Sequence, residues 1–143
     1  MASQQTIVSV NGEARRPAHP PARFTLFTAL LWLQGSFYLV TGLWPLIDLV
    51  SFEQLTGPKT DHWLVQTVGV LVAAVGLTLL VGACRRRNPP ELAVLAVACA
   101  LGLTGIDVVY VSRHVILPVY LADAAVEAVL ILAWTFALVQ RRD

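Results

Sequence analysis

Four long stretches of the chain are almost entirely apolar: Phe24–Ile47, Trp63–Ala83, Leu92–Val111 and Leu117–Val139. Each is close to the roughly 20 residues that a helix needs to cross about 30 Å of hydrocarbon. A soluble four-helix bundle would need a polar stripe along each helix. The second stretch offers only three polar side chains, Gln66, Thr67 and Thr78. The pattern therefore predicts an all-α integral membrane four-helix bundle with four transmembrane helices.

Composition agrees with a membrane location and excludes several classes of function. Hydrophobic residues make up 57% of the chain and charged residues 13%, against about 25% charged in soluble domains. A net charge of +1 argues against a nucleic-acid partner, so the lipid bilayer is the expected one. Cys84 and Cys99 form no CxxC motif. With His62 and His114 in loops, and without a phosphate-binding or nucleophile motif, we expect no metal and no cofactor.

The basic residues predict the orientation of the four spans. Eight Arg residues lie in the N-terminal tail, in the loop after the second stretch and at the C-terminus, whereas the other loops hold only Lys59 and Arg113. Because positive residues favour the cytoplasmic side, we expect both termini in the cytoplasm of a bacterial inner membrane. Residues 1–23 would be a flexible cytoplasmic tail, 24–139 the membrane domain, and 140–143 the cytoplasmic C-terminus.

The loops carry signals for helix ends. In the outer loop, Leu49, Phe52 and Leu55 recur at i, i+3 and i+6, which fits a short interfacial helix or plug as well as a plain connector. Asn88 is a candidate cap for the third spanning helix, with Pro89 at its first position. Pro118 is expected to begin the fourth in the same way. Trp134 falls near the inner end of the fourth stretch, where we expect a boundary anchor.

Small residues recur along two predicted helices. The first contains Gly35 and Gly42, and the second contains Gly69, Ala73 and Gly76. Small residues at such spacings let neighbouring helix backbones approach closely. They suit packing within one bundle, and equally a homodimer or another membrane-protein partner.

Three acidic residues lie inside the predicted spans: Asp107, Asp123 and Glu127. A carboxylate at the bilayer centre costs about 2.5–3.5 kcal/mol even on the lenient insertion scale, which favours a functional role. Asp123 and Glu127 are i, i+4 and share a face. Arg113 is the one cation expected within reach of Asp107 or Asp123.

Each predicted helix also presents a polar face. With these faces turned inward, the bundle would hold a polar pocket open to the outer side. Thr104 shares the face of Asp107. The predicted ligand-binding residues are Asp107, Asp123, Glu127, Gln34, Tyr38, Gln66 and Tyr110.

Three functions fit these residues. The first is binding of a small lipophilic or cationic ligand. The second is a structural or accessory membrane subunit, in which the same side chains form a hydrogen-bond network. The third is a small proton-coupled transporter acting as a dimer, with Glu127 as proton carrier. None of these side chains forms a known catalytic signature, so an enzymatic activity is the less favoured alternative.

Residues 34–69, which read QGSFYLVTGLWPLID…SFEQLTGPKTDHWLVQTVG, resemble a pattern in small uncharacterised bacterial membrane proteins. The likeness extends more weakly through 107–127. That group has no assigned activity, so the resemblance implies no catalytic residues. In architecture alone, four spans with an acidic pocket are similar to DoxX-like and EXPERA-type membrane proteins. EXPERA members use acidic pocket residues to bind or isomerise sterol-like amphiphiles, and no EXPERA motif is present here.

Overall fold

A computed structural model describes residues 25–85 and 89–140. These residues form five α-helices and no strand: α1 (Leu26–Ile47), α2 (Leu49–Thr56), α3 (His62–Cys84), α4 (Pro90–Ser112) and α5 (Tyr120–Val139). All but α2 are long and apolar enough to cross a membrane. The predicted all-α four-helix bundle is therefore confirmed. The predicted tail 1–23, the capping residue Asn88 and residues 141–143 lie outside the described residues.

Two helix starts differ from the predicted ones. Pro89 was expected at the first helical position, but it is extended, with φ −70° and ψ 143°, and α4 begins at Pro90. A residue that precedes proline is sterically kept out of the helical region, and Pro89 precedes Pro90. The second difference is at α5, which begins at Tyr120 rather than at Pro118. Pro118 lies in the turn before this helix, where its carbonyl accepts the Leu121 N–H at 2.9 Å.

The outer surface of the bundle is apolar around its whole circumference. Large aliphatic side chains are exposed on each spanning helix, including Leu33 at 62%, Leu71 at 62%, Val94 at 68% and Leu132 at 70%. Water would oppose the exposure of so much contiguous apolar surface, whereas lipid tails solvate it. The four helices thus fit a multi-pass membrane protein.

The first tight helix pair is α1 with α3, and its packing depends on glycine. A β-carbon added to Gly42 would lie 2.5 Å from the Ala73 nitrogen and 2.6 Å from the Gly69 carbonyl oxygen. One added to Gly76 would lie 2.5 Å from the Leu39 nitrogen. The small-residue faces predicted from the sequence therefore pack against each other within one chain.

The second tight pair is α4 with α5. The buried apolar side chains of α4 are Ala93, Ala96 and Ala100, and those of α5 are Ala124, Leu130, Trp134 and Ala137. The two pairs meet through a much thinner seam between α1 and α5, and consecutive α3 and α4 share few contacts. The bundle is thus two helix pairs with a narrow junction.

The core at one end of the bundle is built around Trp134. Its side chain is fully buried, and its ring meets the Phe27 ring edge-on with centroids 4.8 Å apart. The prediction that Trp134 is a boundary anchor is therefore wrong. Its indole N–H has a buried partner inside the protein, so it does not need the polar membrane interface.

The loop between α1 and α3 contains the helical alternative that the sequence suggested. Asp48 accepts the Ser51 N–H at 3.0 Å and caps α2, and this hydrogen bond holds the pKa of Asp48 below its usual value. Trp44 donates to the Ser51 hydroxyl at 2.7 Å. Gly57 ends α2 with φ +84°, a conformation that favours glycine. The short helix is therefore fastened to the end of α1.

The glycine contacts predict a marked difference between two Gly→Ala substitutions. Gly42→Ala should lower the free energy of unfolding by about 1–3 kcal/mol, because the new methyl group meets the α3 backbone. Gly102 lies on an exposed part of α4, where an added β-carbon would have no described atom within 4 Å beyond its own helix backbone. Gly102→Ala should therefore be neutral or stabilising by up to about 1 kcal/mol. Denaturation of both purified variants in a mild detergent measures the difference. Equal stability of the two would contradict the close packing of α1 on α3.

Candidate functional site

The polar side chains predicted from the sequence meet at the seam between α1 and the α4–α5 pair. Gln34 of α1 is fully buried there. Its amide nitrogen donates to the Ala96 carbonyl of α4 at 2.9 Å, and its amide oxygen accepts the Trp134 indole N–H of α5 at 2.6 Å. One side chain thus links three helices.

Tyr38 lies one helical turn further along α1 and makes the next link. Its hydroxyl donates to the Glu127 carboxyl oxygen Oε2 at 3.1 Å, and the two residues are 1% and 0% exposed. The other oxygen of Glu127, Oε1, is buried and has no hydrogen-bond partner in the described structure. Glu127 is therefore held in place by Tyr38 and left half-satisfied.

Asp107 and Asp123 form the part of the site nearest the α4–α5 turn. Asp107 is buried on α4 and Asp123 is half-buried on α5. Their carboxyl groups are close enough to share a proton, and a negative charge on either one opposes a negative charge on Glu127. Asp107 Oδ2 has no donor among the described protein groups. Since two carboxylates repel each other, a bound proton or an added cation favours this arrangement.

Two of the seven predicted ligand-binding residues stay outside this cluster. Gln66 on α3 and Tyr110 on α4 are both exposed on the bundle surface. The cluster therefore comprises Gln34, Tyr38, Asp107, Asp123 and Glu127, on three of the four spanning helices.

The expected cation is also absent from the cluster. Arg113 is exposed at the end of α4. Within residues 25–85 and 89–140 it makes no ion pair with Asp107 or Asp123, and the acidic group that does meet a basic residue there is Glu53, whose Oε1 lies 3.0 Å from His62 Nε2. None of the five helices contains a Lys or Arg. The three acids thus lie together without a basic partner in these helices.

Sequence reasoning missed the two groups that fix Gln34. The Ala96 carbonyl belongs to the backbone, so no side-chain pattern reports it. The Trp134 indole lies 100 residues from Gln34 in the chain, and its position near a helix end is typical of an anchor. Only the tertiary arrangement shows that it is a hydrogen-bond donor in the core.

An apolar groove runs along the outside of the same seam. It has a volume of about 350 Å³ and lies between α1 and α5. Its walls are Leu33, Phe37, Ala125, Val126, Val129 and Leu130. These residues neighbour Gln34, Tyr38 and Glu127 in sequence, so the groove lies beside the buried polar cluster.

Comparison with known proteins adds no relative: no family model, no curated protein and no solved structure matches this chain. In the described part of the chain, no group of three or more His, Cys, Asp or Glu side chains is arranged to hold a metal ion. The arrangement is a buried acidic cluster in a helical bundle of the multi-pass membrane class, and its chemistry is that of hydrogen-bond acceptors that lack donors.

The Gln34 link predicts non-additive effects on stability. Gln34→Leu leaves the Trp134 indole N–H buried without a partner and should cost about 1–3 kcal/mol. Trp134→Phe removes the donor instead. The double variant should cost less than the sum of the two, with a coupling of about 0.5–3 kcal/mol. Unfolding of the four proteins in detergent measures this cycle. Gln66→Leu, the same change on the exposed face of α3, is the control and should not destabilise; a strictly additive cycle would contradict the link.

Proposed function

We propose that this multi-pass membrane protein binds a small lipophilic cation through Asp107, Asp123 and Glu127. The observation that carries the proposal is the state of Glu127. It is fully buried, one of its two oxygens has no described partner, and no Lys or Arg lies in the helices. A ligand that brings a positive charge and donors would supply what the cluster lacks.

The energetic argument separates this proposal from simple packing. A buried acid without a basic partner lowers stability, and a purely structural role would be served by fully satisfied amides such as Gln34. Tyr38 satisfies one oxygen of Glu127 and fixes its position. The second oxygen is then presented in a fixed orientation, as a binding site requires.

The groove between α1 and α5 suits the apolar part of such a ligand. Its lining is made of aliphatic side chains and Phe37, and ligand sites combine apolar walls with a few polar groups that fix orientation. Val126 lines the groove and is adjacent to Glu127 in α5. A ligand with its tail in the groove thus lies near the carboxyl group.

The proposal includes the location of the protein. Eight Arg residues at the tail, the α3–α4 loop and the C-terminus support cytoplasmic termini in a bacterial inner membrane, by the excess of positive charge in cytoplasmic segments. Asp107 and Asp123 lie near the α4–α5 turn, which this orientation puts on the outer side. The acidic cluster would then be reached from outside the cell.

Cysteine labelling tests the orientation. In a Cys84→Ser/Cys99→Ala background, Thr60→Cys in the α2–α3 loop should react with a membrane-impermeant maleimide in intact cells of a bacterial expression host. Arg86→Cys should react only after the cells are permeabilised. The reverse pattern of labelling would show that the proposed orientation is wrong.

Ligand binding is tested with 4-phenylbutylammonium, a cation with an apolar body, and 4-phenylbutanol, its neutral analogue. Calorimetry in lipid nanodiscs, with empty nanodiscs subtracted, should show tighter binding of the cation. Glu127→Gln keeps the size and an acceptor for Tyr38 but removes the charge. It should weaken binding of the cation about 10-fold to 100-fold, the value of one charged hydrogen bond.

Glu91→Gln is the matched control, because Glu91 is an exposed acid in the first turn of α4. It should leave the affinity unchanged. Equal affinity of wild type and Glu127→Gln for the cation would contradict the proposal. Absence of binding to the wild type, together with loss of folded Glu127→Gln protein, would support the structural or accessory subunit instead.

A further inference from the structure

Thr104 differs from the other threonines of the helices in its hydrogen bonding. Five threonine hydroxyls donate to the carbonyl four residues earlier, each at 2.8 Å: Thr41, Thr56, Thr67, Thr78 and Thr135. The Thr104 hydroxyl is buried and has no hydrogen-bond partner among the described residues. It forgoes a bond that its own helix offers, which leaves a polar group unsatisfied inside the protein.

The described structure has two other buried oxygens without a hydrogen-bond partner, on Asp107 and Glu127. Asp107 is one turn away on α4, and its Oδ2 has no donor; Glu127 is one turn beyond Asp123 on α5, and its Oε1 has none. Asp107 and Glu127 are 6% and 0% exposed. The Asp107 and Asp123 carboxyl groups lie close together, on antiparallel helices. Thr104 precedes Asp107 on α4 by one turn and Glu127 follows Asp123 on α5 by one turn, so both lie on the same side of the aspartate pair. The three oxygens therefore border one stretch of the α4–α5 interface.

We infer that Thr104, Asp107 and Glu127 form a binding site for a primary ammonium group, which deepens the proposed function and rests on it. A primary ammonium has three N–H donors and no acceptor, and this site offers three oxygens that can accept them: one carboxyl oxygen of Asp107, one of Glu127 and the Thr104 hydroxyl oxygen. The number of donors therefore specifies which kind of cationic head group the site binds, whereas the charge alone does not.

The spacing of the residues agrees with that head group. The helical rise separates Thr104 from Asp107 by about 4.5 Å, and Asp123 from Glu127 by about 6 Å. Three acceptors at 2.9 Å around a tetrahedral nitrogen lie about 4.7 Å from one another. The spacing of the residues along the two helices is thus comparable with the spacing of three acceptors around one ammonium nitrogen.

Other occupants fit less well. A quaternary ammonium carries the same charge but offers no N–H group, so all three oxygens would stay unsatisfied. A water molecule brings no charge to offset the acids. The contrast between primary and quaternary ammonium is therefore the property that distinguishes this site from general attraction of cations.

The experiment compares 4-phenylbutylammonium with its N,N,N-trimethyl derivative on the full-length protein in lipid nanodiscs. The wild type should bind the primary ammonium at least 10-fold more tightly. Thr104→Val should reduce this preference to less than threefold, whereas Thr104→Ser, which keeps the hydroxyl, should retain it. Thr104→Val should also keep or raise the thermal midpoint, because it removes an unsatisfied buried hydroxyl.

Thr78→Val is the matched control, since the Thr78 hydroxyl is exposed and already bonded to the Ala74 carbonyl. It should leave the preference unchanged. Equal affinities of the wild type for the two ammonium ions, with loss of both in Glu127→Gln, would overturn the inference and leave the proposed function standing. An unchanged preference in Thr104→Val would also overturn it. If the wild type bound neither cation, both proposals would be overturned.

Discussion

The junction between the two helix pairs depends on hydrogen bonds that the lipid cannot replace. The hydrocarbon core offers no donors or acceptors, so a polar side chain within it must find its partner inside the protein. Gln34 does so by using both ends of its amide, one on the backbone of α4 and the other on the indole of α5. The seam between α1 and α5 thus combines these directional contacts with the apolar packing of Phe27 against Trp134.

The two helix pairs pack differently. Between α1 and α3, glycines bring the backbones so close that little room remains for side chains. In α4 and α5, the buried apolar residues are alanines, Leu130 and Trp134. Asp107, Asp123 and Glu127 all belong to this second pair, and Glu127 is joined from it to Tyr38 of α1.

Much of the architecture follows from the sequence because lipid imposes a simple rule. Each of the four long apolar stretches must satisfy its own backbone hydrogen bonds within the lipid, and a helix does so. The glycines of α1 and α3 likewise indicate close packing, although their spacing does not tell an internal partner from a second chain. The short helix α2 was one of two alternatives, because three apolar residues at helical spacing in so short a segment suit a helix and a connector almost equally.

The site was harder to predict than the fold. The acids stand out because charge is rare in the spans, and Tyr38 could be matched to Glu127 by helix faces. Gln66 and Tyr110 are polar at similar heights, yet they lie on exposed surfaces, since the rotation of each helix about its axis is set by all its contacts together. Trp134 and Pro89 show the same limit on a smaller scale. The burial of Trp134 depends on Gln34, which is distant in the chain. The extended conformation of Pro89 depends on the steric effect of the next residue, Pro90.

The pairing of helices also has a consequence for the order in which the chain is made. All contacts of α1 with α2 and α3 involve residues before 85, whereas α4 and α5 are joined by a short turn. Synthesis proceeds from the N-terminus, so α1 and α3 are available to pack against each other before α4 and α5 are. The second pair then closes as a local hairpin. Docking of the two halves through Gln34 and Tyr38 is left as the last step of biogenesis.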